Sequence, residues 1–242
     1  MRVLLIEDDI PIQELLRAYF EAKGHAVTRM WAERCAEIGW YDYIYCKWYA
    51  VPRVWFHKMA DYLRYGKANR VRHFTAEAYI SDNYREGPKF YLAMKLLWDP
   101  DLDVDAALRE WYECAVGADA APYLERYFAF WEDFWTRRIP DSDWFKASGD
   151  KTYLEYHVTR YFRVLSETDF GACERLLRDT LRLARTPRQK ARAQLCLDGL
   201  LAAKENVLSS NAFESLNRRK ADARVLHLVH RSVFDRDVEG WG

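Results

Sequence analysis

Six large aromatic side chains recur at Tyr123, Tyr127, Phe130, Trp131, Phe134 and Trp135, spaced i, i+4, i+7, i+8, i+11 and i+12. That spacing returns to one face of a 3.6-residue helix and makes a stripe too wide and apolar to face water. The chain around it must supply a further helix or sheet to cover the rings. Each ring buries about 150–250 Å² once covered. Rings at helical spacing therefore read as core, whereas rings that stack on sugars sit on loops or in clefts. Aromatic residues make up 16% of the 242-residue chain, a load that suits either use.

The pattern is helical almost throughout from Gly87 onward. Phe90, Tyr91, Met94, Leu97 and Trp98 share one helical face and are expected in the core. Thr186-Pro187-Arg188-Gln189 supplies an N-cap, an N1 proline and an N3 glutamine, opening a helix to about Leu208. Asn211 with Glu214 predicts the start of another. Asp99, Asp101, Asp103, Asp105 and Glu110 fall at calcium-loop positions 1, 3, 5, 7 and 12. Val104, however, occupies the position where that loop needs a turn glycine. Asp103 or Asp105 is instead read as the N-cap of a helix over 106–116.

The first part of the chain alternates. Ile38 to Cys46 is rich in β-branched and aromatic residues and predicts a strand. Pro52 interrupts, and 54–65 predicts a helix with Trp55, Met59, Tyr62 and Leu63 on one face. Arg70 to Ala76 predicts a second strand, ending at Glu77. Strand, helix, strand is the unit that builds parallel sheets. Residues 1–30 repeat that order, with Val3–Ile6 as a strand, Pro11 opening a helix and Gly24 closing it. The expected fold is thus α-rich α/β. A partial parallel sheet over residues 1–83 is followed by a multi-helix domain over 84–242.

Composition narrows the function. Lys+Arg and Asp+Glu each number 37, so the basic excess that marks nucleic-acid binding is absent. The five cysteines (35, 46, 114, 173 and 196) are scattered and never form Cys-x-x-Cys. That usage predicts reduced thiols in a cytoplasmic protein. No apolar run reaches the ~20 residues that cross a bilayer, so no membrane partner is expected. His57 and His73 lack the tandem spacing of a metal site, and His227 with His230 lacks a third ligand. No metal and no cofactor are predicted.

The stretch Gly87 to Trp135, with YDYIY at 41–45 and FTAEAY at 74–79, resembles an uncharacterised domain family allied to barrel-fold glycoside hydrolases such as the α-glucuronidases. The resemblance covers about residues 40–205. It implies that the strands are a remnant of a barrel, whose chemistry sits at the C-terminal strand ends. It implies Glu77 as an acid/base residue, with Asp42, Tyr43 and Tyr45 on the substrate side. Cys46 departs from the family's usual glycine after YDYIY. Hydrolysis needs a second carboxyl group, and only Asp42 or Asp82 is at hand. Two functions follow as expectations. One is an oligosaccharide- or uronic-acid-binding protein with an incomplete catalytic site; the other is a non-catalytic scaffold. Strand edges left open by a partial sheet predict a homo-oligomer under either.

Residues 1–30 resemble the opening of a response-regulator receiver domain, with Glu7, Asp8 and Asp9 on its acidic cluster. Lys47 stands where that family carries its phosphoacceptor aspartate, so the resemblance implies a degenerate signalling segment joined to unrelated chain.

Overall fold

The computed structural model describes residues 28, 31–45, 49–78, 86–147 and 159–221, the last ten of these by backbone alone. Strand β1 (Ile38–Tyr43), helix α1 (Phe56–Ala68) and strand β2 (Val71–Glu77) form one strand–helix–strand unit. The two strands pair in parallel, with Asp42 opposite Ala76 and Tyr43 opposite Glu77. The predicted strand, helix and strand are therefore present within a few residues of their expected ends. Helix α1 buries Phe56, Met59, Ala60 and Leu63. It comes so close to β1 that a Cβ on Gly66 would sit 2.8 Å from the Trp40 ring. Only hydrogen at that position permits the approach.

Five longer helices follow among the described residues: α2 (Lys89–Trp98), α3 (Val104–Val116), α4 (Ala121–Asp133), α5 (Glu167–Leu183) and α6 (Pro187–Ala221), with shorter helical turns at Ile139–Asp141, Asp143–Ala147 and Thr159–Val164. Helix α4 lies between α3 and α5, and α5 packs on α6. The molecule is an α-rich α/β protein with a small parallel sheet. No helix among the described residues is long and apolar enough to cross a membrane.

The aromatic stripe is the middle of this arrangement. Tyr127, Phe128, Trp131, Phe134 and Trp135 are buried, while Tyr123 and Phe130 stay half-exposed under the guanidinium groups of Arg126 and Arg138. Phe128 stacks on Tyr112 of α3, and Trp131 meets Phe170 of α5 edge-on. The end of α4 widens into a π-helical turn over Phe134–Arg138. Pro140, two residues further on, has no N–H to continue an i→i−4 ladder, a condition under which such turns form. The wider turn brings the consecutive residues Phe134 and Trp135 both inward.

Two sequence expectations are corrected. The face of α2 formed by Phe90, Tyr91, Met94, Leu97 and Trp98 is not the core face. Lys89, Leu92, Ala93 and Leu96 are buried, and Met94 and Trp98 point outward. The reason is that α2 is apolar on two sides, and the side with smaller aliphatic groups fits against α1 and α3. Likewise Asn211 starts no new helix. It lies inside α6, where its side-chain amide donates to the Phe162 carbonyl at 2.8 Å. That tertiary partner removes the need for a cap. The other caps match expectation: the Asp103 carboxylate accepts from the Ala106 N–H, and Thr186 and Gln189 cap α6 reciprocally. Cys173 and Cys196 are buried, and burial pushes the Cys196 thiol up to about 12, which keeps it protonated and inert. His227, His230 and the Glu7–Asp9 cluster lie outside the described residues.

Helix α5 opens on a capping box between Ser166 and Asp169, and Arg138 grips the same carboxylate with both terminal nitrogens at 2.9 and 3.0 Å. Burial works against the charged carboxylate, but Arg138 and the Ser166 N–H and hydroxyl outweigh it and hold Asp169 below the usual range. The contribution is therefore complete above pH ~4 and is lost as pH falls through the lowered folded value. Asp169→Asn is expected to cost about 1.5–3 kcal/mol near neutral pH. Urea melts of both proteins should show that gap closing below pH ~4.

Candidate functional site

Parallel strands present their chemistry at their C-terminal ends, beside the following helix N-terminus. Here that place is a cleft of about 580 Å³ between the end of β1, the start of α1 and the π-helical turn. This volume is within the range of small-molecule sites. Trp40, Trp55, Tyr62 and Trp135 give it flat aromatic walls, and Arg53 and Lys58 bring two cations to it. The Arg53 guanidinium stacks between the rings of Tyr49 and Trp55 at 4.8 and 4.7 Å. Neither Arg53 nor Lys58 forms an ion pair among the described residues.

Asp42 supplies the carboxylate. Its Oδ2 accepts from the Tyr62 hydroxyl at 2.8 Å, and its Oδ1 accepts from the Tyr43 backbone N–H at 2.7 Å. Burial and the Asp42 charge push the Tyr62 hydroxyl far above its ordinary range, so it stays a hydrogen-bond donor. Trp40 packs beside Tyr62 with ring centres 6.0 Å apart. These contacts fix the face of β1 that α1 covers.

Glu77 lies on the other face. Side chains alternate along a strand, and Glu77 is in register with Tyr43, one residue from Asp42. Its Oε1 accepts from the Tyr41 hydroxyl at 2.7 Å. Tyr41, Tyr43 and Tyr45 form a ladder of edge-to-face rings, 5.3 and 5.9 Å apart, beside it. The structure thus brings Glu77, Tyr43 and Tyr45 to one strand end; by register Asp42 falls on the opposite face from Glu77, while Tyr43 lines the cleft together with Asp42. Asp82 lies outside the described residues.

Sequence reasoning did not single out Arg53, Lys58 or Trp135 as site residues. Arg53 and Lys58 flank Trp55 at the α1 entry, a place that strand-end logic indicates. Trp135 lies 80 residues away in sequence and had no local signal. His73 pairs with Glu37 at 3.0 Å on the surface. Among the described residues no group of three His, Cys, Asp or Glu side chains could hold a metal ion.

The chain matches the model of the domain of unknown function DUF4838 over residues 5–129 and belongs to that family. No curated protein and no solved structure matches it. The match begins well before the expected residue 40 and ends inside α4, short of 205. It also runs unbroken across residue 30, where the sequence suggested a junction. The family has no assigned activity, so the match carries neither a hydrolase nor a receiver reading.

Next to the cleft, His57 in the first turn of α1 bridges two helices. Its Nδ1 meets Glu132 of α4 at 2.9 Å and its Nε2 meets Asp105 of α3 at 3.2 Å. Partial burial lowers its pKa, but the charges and hydrogen bonds of Glu132 and Asp105 together raise it above the ordinary value. A raised value means stabilisation that is full below pH ~6.5 and fades as pH rises through the folded pKa. His57 is over half exposed, so the effect is small. The melting temperature of His57→Gln should trail the native chain by at most about 2–4 °C at pH ~5.5, with the difference shrinking by pH ~8.5.

Proposed function

We propose that this chain binds an acidic saccharide, of uronic-acid type, in the cleft at the C-terminal end of β1, and that it does not hydrolyse it. The observation that carries this reading is the composition of the cleft. Flat rings at Trp40, Trp55 and Trp135 line an opening that also holds two cations without carboxylate partners among the described residues. Aromatic faces suit the apolar faces of sugar rings, and the cations suit a sugar carboxylate. The Tyr62–Asp42 pair offers both a donor and acceptors to sugar hydroxyls. The resemblance to α-glucuronidase-like barrel enzymes adds support for the ligand class. The separation of Asp42 from Glu77 across the sheet supports binding over hydrolysis, since an acid and a base must flank the same bond.

Isothermal titration with an oligogalacturonate and with a neutral oligosaccharide of equal length tests the reading. The acidic ligand should bind, and Lys58→Gln should weaken it about tenfold while leaving the melt unchanged, because Lys58 is exposed. Glu77→Gln should leave affinity as it was. Equal binding of the neutral sugar, or loss of binding in Glu77→Gln alone, would contradict it.

A further inference from the structure

Helix α2 is apolar on two sides, and the described residues cover only one. Leu92, Ala93 and Leu96 are buried, whereas Met94 is 70% and Trp98 92% exposed. Exposed side chains of that size at i and i+4 make a ridge that mostly marks an interaction site. The ridge borders an open groove of about 810 Å³ between α2 and α3, floored by Phe90, Met94, Trp98, Leu102 and Ala106.

The rim of the groove is acidic. Asp99, Asp103 and Glu110 line it, with Lys95 as its one cation. Lys95 pairs with Glu110, and Lys67 pairs with Asp101 nearby. Among the described residues Asp99 and Asp103 each accept only a backbone N–H, from Asp101 at 3.1 Å and Ala106 at 3.0 Å. Two carboxylates with no cation partner among the described residues therefore border an apolar floor. The complement of such a surface is an apolar stripe flanked by positive charge. The ten residues of α2 span about 15 Å, the length over which a docked helix offers anchors at i, i+3 or i+4, and i+7.

We propose that this groove docks a cationic amphipathic helix of a partner protein, with Trp98 and Met94 as its central contacts. Bound there, the partner covers the apolar ridge and its cations face Asp99 and Asp103. The site is separate from the saccharide cleft and does not depend on it.

Fluorescence anisotropy of the full chain with a labelled synthetic peptide tests this. The probe has about eighteen residues, Leu on one helical face and Lys on the other; its companion carries Glu in place of Lys. The Lys peptide should bind and the Glu peptide should not. Trp98→Ala and Met94→Ala should each weaken binding about tenfold. Asp99→Asn should weaken it about threefold, and added salt should weaken it further. All three positions are exposed, so the melts should not change. Equal binding of both peptides, or undiminished affinity in Trp98→Ala, would overturn the proposal. So would dimerisation of the chain alone that Trp98→Ala abolishes, because the face would then belong to a second copy.

Discussion

The ammonium group of Lys89 ties the start of α2 to the segment that leads into α1. It is fully buried, pairs with the equally buried Glu86 carboxylate, and donates to the Arg53 carbonyl at 3.0 Å. It also sits 4.8 Å from the centre of the Trp55 ring. Taking such an ion out of water costs several kcal/mol, which these contacts offset. Gly87 makes the pairing feasible. Its φ of +53° folds the chain back between Glu86 and Lys89, and a Cβ there would lie 2.4 Å from the Phe128 ring. The same ammonium thus fixes the start of α2 and the Arg53–Trp55 approach to α1. Through Arg53 and Trp55 it sets one wall of the cleft.

Much of the fold was legible from periodicity. The strand, helix and strand between Ile38 and Glu77, the cap at Asp103 and the capping box at Thr186 rest on local chemistry, and each is present. What failed was the choice of face. In α2 both sides are apolar, so the hydrophobic pattern could not say which would be covered. The covered side carries the smaller aliphatic groups and also Lys89, a residue that reads as solvated until its carbonyl, carboxylate and ring partners come together. Asn211 failed for a related reason, because its hydrogen bond is made to Phe162, 49 residues away.

The candidate site divides in the same way. Strand-end reasoning found Asp42, Tyr43, Tyr45 and Glu77, and the structure sets all four at or beside the paired ends of β1 and β2. Their division between two faces follows from the register, which no single-strand pattern contains. Arg53, Lys58 and Trp135 enter the cleft from a loop, a helix start and a distant π-helical turn. By register Asp42 and Glu77 fall on opposite faces, and Tyr41 and Tyr43 of the ladder also line the cleft that holds the cations, rings and Asp42.

The most direct test of the cleft is an NMR titration that follows the indole N–H signals of the ten tryptophans as an oligogalacturonate is added. The account predicts that Trp40, Trp55 and Trp135 shift together with one saturation curve, while Trp98 and the buried Trp131 stay in place. Shifts confined to Trp98, or no shift at Trp40, Trp55 and Trp135, would contradict it.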